Sequence, residues 1–485
     1  MEHPGPAPAA EQRAALRGAL AMAGLTVEQL WMRYFSLGGD ADLLAVEAHL
    51  DGLLPLPAVD GDLLALAVNE RLDELVTARR VPYTRPQYRH RPTTGPLAAM
   101  LQLLDSARRS SPDRLATLAA EAGRTLGVDV AVHVVDDEQR RLRRLPRDGE
   151  DAGGPIAVDG TLPGRVFQSA CTLPSEGRGG PRLWVPLLDG ADRVGVLEVG
   201  VDTALELEDP GLRAQCHWLA SLVGHLVASM GPYGDALERS RRTARRTASA
   251  ELVWQQLPPL TAASESFVLA GLLEPAQDVG GDAFDYSLSR DTVSMAVLDA
   301  MGHGLPAGLM VSGALAAYRS VRRDGRGIYE QALGVDAVVS GTFPGSAFVT
   351  GVLAELDTAS GRLRYVNAGH PAPLLLRGGR VVKELGAGRR VPFGLETSGF
   401  SVGEEVLEPG DWLALYTDGV TEARDAAGAW FGEARLVEFL TRAVAAGHPP
   451  PETARRLMRA LLEHQGGLLQ DDASVLLACW DADGS

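Results

Sequence analysis

The sequence predicts a multidomain α+β protein with four parts. A small helical module comes first, then a mixed α/β domain, a linker helix and a C-terminal α+β sandwich. Three observations carry this. The chain up to Arg80 shows helical periodicity. From Leu97 to Gly231, helical and strand patterns mix. From Ser266 to Trp480 strands outnumber helices, short turns join consecutive strands, and helices come in pairs, which favours a sandwich over a doubly wound sheet.

The boundaries follow in order: 1–96 for the helical module and its linker, 97–231 for the mixed α/β domain, 235–259 for the linker helix and 260–485 for the sandwich. In the first part, Met1 to Glu11 is rich in proline and alanine and reads as disordered. Thr26 and Gln29 form a capping box for a helix that stops at Gly38-Gly39. Two more helices fit Ala41 to Leu54 and Gly61 to Arg80, and Pro82 to Pro96 reads as a linker. This module holds no cluster of chemically active residues and reads as a docking or dimerisation bundle.

In the second part, a helix over Leu115 to Leu126 leads into a strand over Val128 to Val135. A short amphipathic segment (Leu162 to Ser169), two strands (Arg182 to Leu188, Val194 to Val201) and a long helix (Gly211 to Met230) follow. This order, with Leu183-Trp184-Val185-Pro186-Leu187 and Val194-Gly195-Val196-Leu197-Glu198-Val199 as adjacent strands, resembles a GAF sensory domain. The resemblance implies a small-molecule pocket or a dimer face along that strand pair. His133, Cys171 and His217 are read as core or surface residues rather than haem or metal ligands. Between sensor and sandwich, Leu237, Ala244, Ala248 and Leu252 share a narrow helical face, so Asp235 to Gln256 is expected to be one helix that couples the two parts and pairs with its counterpart in a homodimer. Arg241 intrudes on that face and argues against a clean coiled coil.

Composition narrows the function classes. A net charge of −17 over 485 residues argues against non-specific nucleic-acid binding, which needs a basic face. The three cysteines, Cys171, Cys216 and Cys479, lie far apart, forming neither a disulfide framework nor a metal cluster. No apolar run reaches membrane-spanning length and no signal-like N-terminus is seen, so the chain is read as cytoplasmic. Lys383 is the single lysine, against abundant arginine, alanine and glycine, the usage of a GC-rich genome.

The chemistry concentrates in the last part. A buried strand from Val293 to Leu298 ends on Asp299 and breaks into Ala300-Met301-Gly302-His303-Gly304, before a helix from Pro306 to Arg322. Gly280-Gly281-Asp282, Leu415-Tyr416-Thr417-Asp418-Gly419 and Asp471-Asp472 repeat this placement of a carboxylate beside a strand. Glycines there let backbone crowd close. Carboxylates with little histidine or cysteine nearby suit hard, oxygen-preferring cations, pointing to magnesium or manganese.

Five motifs then stand in order: Glu274-Pro275-Ala276 with Val279-Gly280-Gly281-Asp282-Ala283-Phe284-Asp285; Asp299 to Gly304; Asn367-Ala368-Gly369-His370-Pro371; Tyr416 to Ala423; and Asp471-Asp472-Ala473-Ser474. Together they strongly resemble the SpoIIE-like branch of the PPM metal-dependent serine/threonine phosphatases, from about Leu260 onward. The resemblance implies an α-β-β-α sandwich with two Mn²⁺ or Mg²⁺ ions between its sheets. Carried over, Asp282 bridges both ions, Asp299 and the Ala300 carbonyl ligate one, and Asp418 and Asp471 complete the other, with Asp472 behind them. The family usually has glycine where Ala300 stands, so a positive φ there would strain the chain by about 1–3 kcal/mol. His303 and His370 are weak candidates for the acid to the leaving group, and Glu422 and Asp285 read as supporting groups or turn caps.

The resemblance further implies phosphoserine hydrolysis on an anti-anti-sigma (STAS-domain) protein. The alternatives are a metal-binding pseudophosphatase acting as a signalling scaffold, which the intact aspartate set disfavours, and a phosphatase for a small phosphoester.

Overall fold

A computed structural model describes residues 9–78, 95–150, 153–177, 179–243, 245–274, 280–343, 345, 347–395 and 399–481. Met1–Arg91 and Pro92–Ser485 form two compact units. Among the described residues no helix is long and apolar enough to cross a membrane.

The first unit holds α1 (Ala9–Ala23), α2 (Val27–Ser36), α3 (Leu43–Leu50) and α4 (Ala58–Ala78). The capping box is present: Gln29 N donates to Thr26 Oγ1 at 3.2 Å, and Thr26 N to Gln29 Oε1 at 3.0 Å. Leu30, Tyr34, Val46, Leu64 and Val68 form the core. Most of the expected linker over Pro82 to Pro96 lies outside the described residues, and its last two residues already belong to a helix, α5 (Gly95–Ala107).

The second unit continues with α6 (Leu115–Leu126), β1 (Asp129–Val135), β2 (Arg141–Arg144), β3 (Ile156–Ala157), α7 (Leu162–Ser169) and β4 (Leu173–Gly177). Then come β5 (Gly180–Asp189), β6 (Asp192–Gly200) and α8 (Pro210–Met230). The strands form one antiparallel sheet in the order β3-β2-β1-β6-β5-β4. Alternation along each strand sends Val130, Val132, Leu183 and Val185 to a core shared with α5, α6 and α8. Val135, Trp184 and Val196 pack with Val166 and Phe167 of α7 in a second, smaller core. His133 is buried against Glu198 (Nε2 to Oε2, 2.9 Å), while Cys171 and His217 are exposed.

The expected continuous helix over Asp235–Gln256 does not form. Two short helices, α9 (Ala236–Arg241) and α10 (Ala248–Trp254), replace it, with Arg242 and Thr247 extended between them. Charge and burial pull the halves apart. Arg241 and Arg246 both turn to the buried Asp137 in the turn between β1 and β2, and Leu237 enters the core that backs the β3-β2-β1-β6-β5-β4 sheet. Val253 instead joins the core of the C-terminal sandwich. The single face through Leu237, Ala248 and Leu252 is therefore lost; Ala248 is exposed, and Ala244 lies outside the described residues.

The sandwich begins with β7 (Thr261–Ser264), β8 (Phe267–Glu274), β9 (Asp282–Leu288) and β10 (Thr292–Ala300), followed by α11 (Gly304–Arg323) and α12 (Ile328–Thr342). Next are β11 (Val349–Asp357), β12 (Arg362–Ala368), β13 (Leu374–Arg377), β14 (Arg380–Glu384), β15 (Arg389–Arg390) and β16 (Gly403–Val406). The chain closes with β17 (Asp411–Tyr416), α13 (Asp418–Thr421), α14 (Gly432–Ala445), α15 (Pro450–His464) and β18 (Ala473–Trp480). One sheet runs β15-β12-β11-β10-β9 with β16 also on β12; the other runs β14-β13-β17-β18-β8-β7. Leu269, Leu413, Leu415 and Leu476 of the second sheet pack in a core with the first sheet, α11 and α12. Trp412, Ala414, Val475 and Leu477, one residue out of phase, pack on α14 and α15. The layering is α-β-β-α, as expected.

Candidate metal centre

Both sheets bring carboxylates to one place. Asp282 opens β9 and faces Asp299 directly across the antiparallel ladder to β10. Asp418 opens α13 immediately after β17, and Asp471-Asp472 immediately precede β18, the neighbour of β17. Two hydrogen bonds stitch the groups together. Thr417 Oγ1 donates to Asp282 Oδ2 at 2.7 Å, and Gly281 N donates to Asp472 Oδ2 at 2.9 Å. Asp282 and Asp472 are buried, whereas Asp418 and Asp471 are exposed.

Glycine is needed where backbones nearly touch. A Cβ on Gly419 would lie 1.9 Å from the Asp472 carbonyl oxygen, and one on Gly281 2.9 Å from that of Ala300. Ala300 itself sits in extended strand. The described non-glycine residues with positive φ are Gln139 and Ala170, so the expected strain at Ala300 is absent. The close approach demands glycine at 281 instead.

The electrostatics are those of crowded anions. Burial, then Asp299 and Asp472, hold the Asp282 carboxyl well above the usual range. Burial, then Asp418 and Asp471, push Asp299 up to about 7. Burial raises Asp471 too, with Asp418 adding to it against the Asp472 amide. Among the described residues, no three histidine, cysteine or carboxylate side chains already converge as a finished metal cage. The donor set nonetheless fits hard cations: these carboxylates repel one another, and added positive charge would relieve that repulsion.

The supporting residues are placed less uniformly. His303 is exposed at the N-cap of α11. His370 is buried, and burial drives its imidazole down to about 4 against a smaller pull from the Tyr416 backbone. Glu422 is the exposed C-cap of α13. Asp285 is no turn cap: it is buried mid-strand in β9, held by Arg319 (2.7 Å) and Arg322 (2.8 Å) of α11. Pro275, Ala276 and Val279 lie outside the described residues. Thr417, Thr350 and Ser249 had no role assigned from sequence. Thr417 could have been suspected from its place beside Asp418; the other two carry no local signal.

Ser249 of α10 is buried between the two glycine turns, 2.9 Å from the Gly304 carbonyl oxygen and 3.3 Å from that of Gly280. A Cβ on either Gly280 or Gly308 would come within 2.3 Å of its hydroxyl.

Comparison with known proteins gives a consistent picture of this region. The family model of Stage II sporulation protein E (SpoIIE) matches residues 289–481. Protein IcfG of Synechocystis sp. is 25% identical over 244 residues, which is 44% of this chain and 38% of that protein. Phosphoserine phosphatase RsbU of Bacillus subtilis is 23% identical over 214 residues, 44% of this chain and 63% of that protein. The chain thus spans less than two thirds of either relative. Among solved structures, the RsbU and RsbW domains of Rv1364c from Mycobacterium tuberculosis share 31% identity, with a TM-score of 0.39 over 45% of this chain and 60% of that one.

Proposed function

We propose that the chain is a metal-dependent protein serine/threonine phosphatase, a reading supported by the match of residues 289–481 to the SpoIIE family model. Its substrate is phosphoserine on a regulatory protein, an anti-anti-sigma factor of the STAS type, and the six-stranded sheet domain is a GAF-like sensor that controls it. The observation that carries the reading is the meeting of Asp282, Asp299, Asp418 and Asp471, from four separate chain segments, at strand ends of two facing sheets.

Two Mn²⁺ or Mg²⁺ ions, held by these four carboxylates and the Ala300 carbonyl, would neutralise phosphoryl oxygens and lower the pKa of a bound water. The protein's own part is positional. Burial and the Thr417 hydrogen bond fix Asp282, while Asp472 is engaged by the Gly281 amide behind it. Asp418 and Asp471 are exposed, so a phosphoserine carried on a protein surface can reach the site without entering a deep pocket.

Contacts between the domains support sensory control. Arg140 of the sensor pairs with Glu274 at the end of β8, and Asp159 pairs with Arg455 of α15 at 2.8 Å. Ser249, on the segment joining the domains, touches both glycine turns.

The test is Mn²⁺-dependent hydrolysis of p-nitrophenyl phosphate and of a phosphorylated STAS protein. Asp299→Asn and Asp418→Asn are expected to abolish both activities while the protein stays folded. Metal binding without hydrolysis of either substrate would favour the scaffold instead.

A further inference from the structure

The Asn367-Ala368-Gly369-His370-Pro371 turn carries none of the carboxylates, yet it is built closely. Asn367 is buried, and its side chain is spent on the turn: Oδ1 accepts from His370 N at 2.9 Å, and Nδ2 donates to the carbonyls of His370 (2.9 Å) and Pro371 (3.2 Å). Gly369 has φ +66°, and a Cβ there would press to 2.7 Å from Pro392. The turn thereby presents the buried His370 ring to Thr350, with Nδ1 2.9 Å from Oγ1. Thr350 in turn lies directly opposite Asp299 in the β10–β11 register, its Oγ1 3.4 Å from Asp299 Oδ2.

We infer that Asn367, His370 and Thr350 form a hydrogen-bonded chain that aims the Asp299 carboxylate, making them positioning residues of the metal centre. The inference rests on the metal-centre reading above. The direction of the chain follows from counting protons. Asp299, as a carboxylate, can only accept, so the single Thr350 hydroxyl proton that reaches its Oδ2 leaves the Thr350 oxygen to accept from the ring. The neutral ring therefore carries its proton on Nδ1 and donates to Thr350, whose hydroxyl proton is left for Asp299. At 3.4 Å that last bond is the longest in the chain. A partner behind a metal-ligating side chain typically changes metal affinity about 10–100-fold.

The test measures Mn²⁺ binding by calorimetry on the full chain, alongside the thermal midpoint of each metal-free variant. Thr350→Val keeps the shape and removes the hydroxyl; it is expected to bind Mn²⁺ about 10-fold more weakly. His370→Ala should lose as much, and Thr350→Ser and His370→Asn, which keep a hydroxyl and a donor near Nδ1, should recover most of the loss. The double variant His370→Ala, Thr350→Val should be no weaker than either single variant, because one acts through the other. Unchanged affinity in Thr350→Val, additive losses, or a His370→Asn no better than His370→Ala would overturn the chain. Asp299→Asn serves as the reference. If it too binds Mn²⁺ normally, the metal-centre reading itself fails; if it alone loses binding, only the positioning chain does.

Discussion

Thr417 and Asp282 belong to opposite sheets, and the 2.7 Å hydrogen bond from the Thr417 hydroxyl to Asp282 Oδ2 crosses between them. The same hydroxyl accepts from the backbone amide of Ser474 on β18 at 3.0 Å. Threonine therefore couples a buried carboxylate of the site to the ladder end that carries Asp471 and Asp472. Residue 417 stands beside a proposed ligand and also orients another one across the sandwich.

Replacing Thr417 with valine removes both bonds without changing the shape. The Ser474 amide is then buried without a partner, at a cost of about 1–3 kcal/mol. Asp282 loses a donor that holds its carboxyl down, so protons should compete more strongly with cations for it. We expect Thr417→Val to unfold at lower urea and to need more Mn²⁺ for half-maximal phosphatase activity, with Thr417→Ser restoring both. Unchanged urea and Mn²⁺ midpoints in the valine variant would remove the threonine from this role.

The contact between Arg140 and Glu274 predicts a pH dependence. Glu274 is buried, and burial pushes its carboxyl up to about 7 even with Arg140 beside it. The unfolded value is about 4.3, so the folded protein holds this proton more tightly. The resulting stabilisation is complete below the unfolded value and is lost as pH rises through about 7. Glu274→Gln should therefore flatten the fall in stability between about pH 5 and 8. Arg140→Ala leaves a buried charge uncompensated only once Glu274 ionises. Its thermal midpoint should drop more at pH 8 than at pH 6, and equal drops at both would contradict the burial argument.

The parts of the site that were legible in the sequence are those written in local chemistry. An aspartate at a strand end with glycine close by shows both the carboxylate and the crowding, as at Asp299 with Gly302 and Asp418 with Gly419. What escaped depends on distant partners. Thr350 reaches Asp299 only because β11 happens to register against β10. β9 was not read as a strand, because Asp282-Ala-Phe-Asp-Tyr-Ser-Leu288 lacks a clean alternation. Its Asp285 is tolerated mid-strand because Arg319 and Arg322 arrive from α11 to neutralise it. At Ala300 the expected glycine is unnecessary, since the close contact is relieved by Gly281, just before the neighbouring strand β9.

The linker shows the same limit and supplies the last prediction. Read alone, Asp235 to Gln256 has the apolar spacing of one helix, and proline at Ala248 should then break it. In the folded chain Ala248 is instead the first residue of α10, following Thr247, whose Oγ1 accepts from Ala250 N at 3.2 Å. A first-turn amide needs no helical acceptor, and proline's fixed φ suits that position. Thr247 is extended at φ −70° and ψ 164°, the conformation that a following proline favours. Ala248 is also exposed, so the ring meets no packed neighbour there. Ala248→Pro should therefore leave thermal stability and Mn²⁺-dependent activity close to those of the unaltered chain. Ala250→Pro differs: it deletes the amide that Thr247 caps, and it does so at a buried position beside Ser249. That variant should lose stability and, through Ser249, disturb the turns at Gly280 and Gly304 enough to lower activity. Equal damage from both substitutions would mean that the segment is one continuous helix in solution after all.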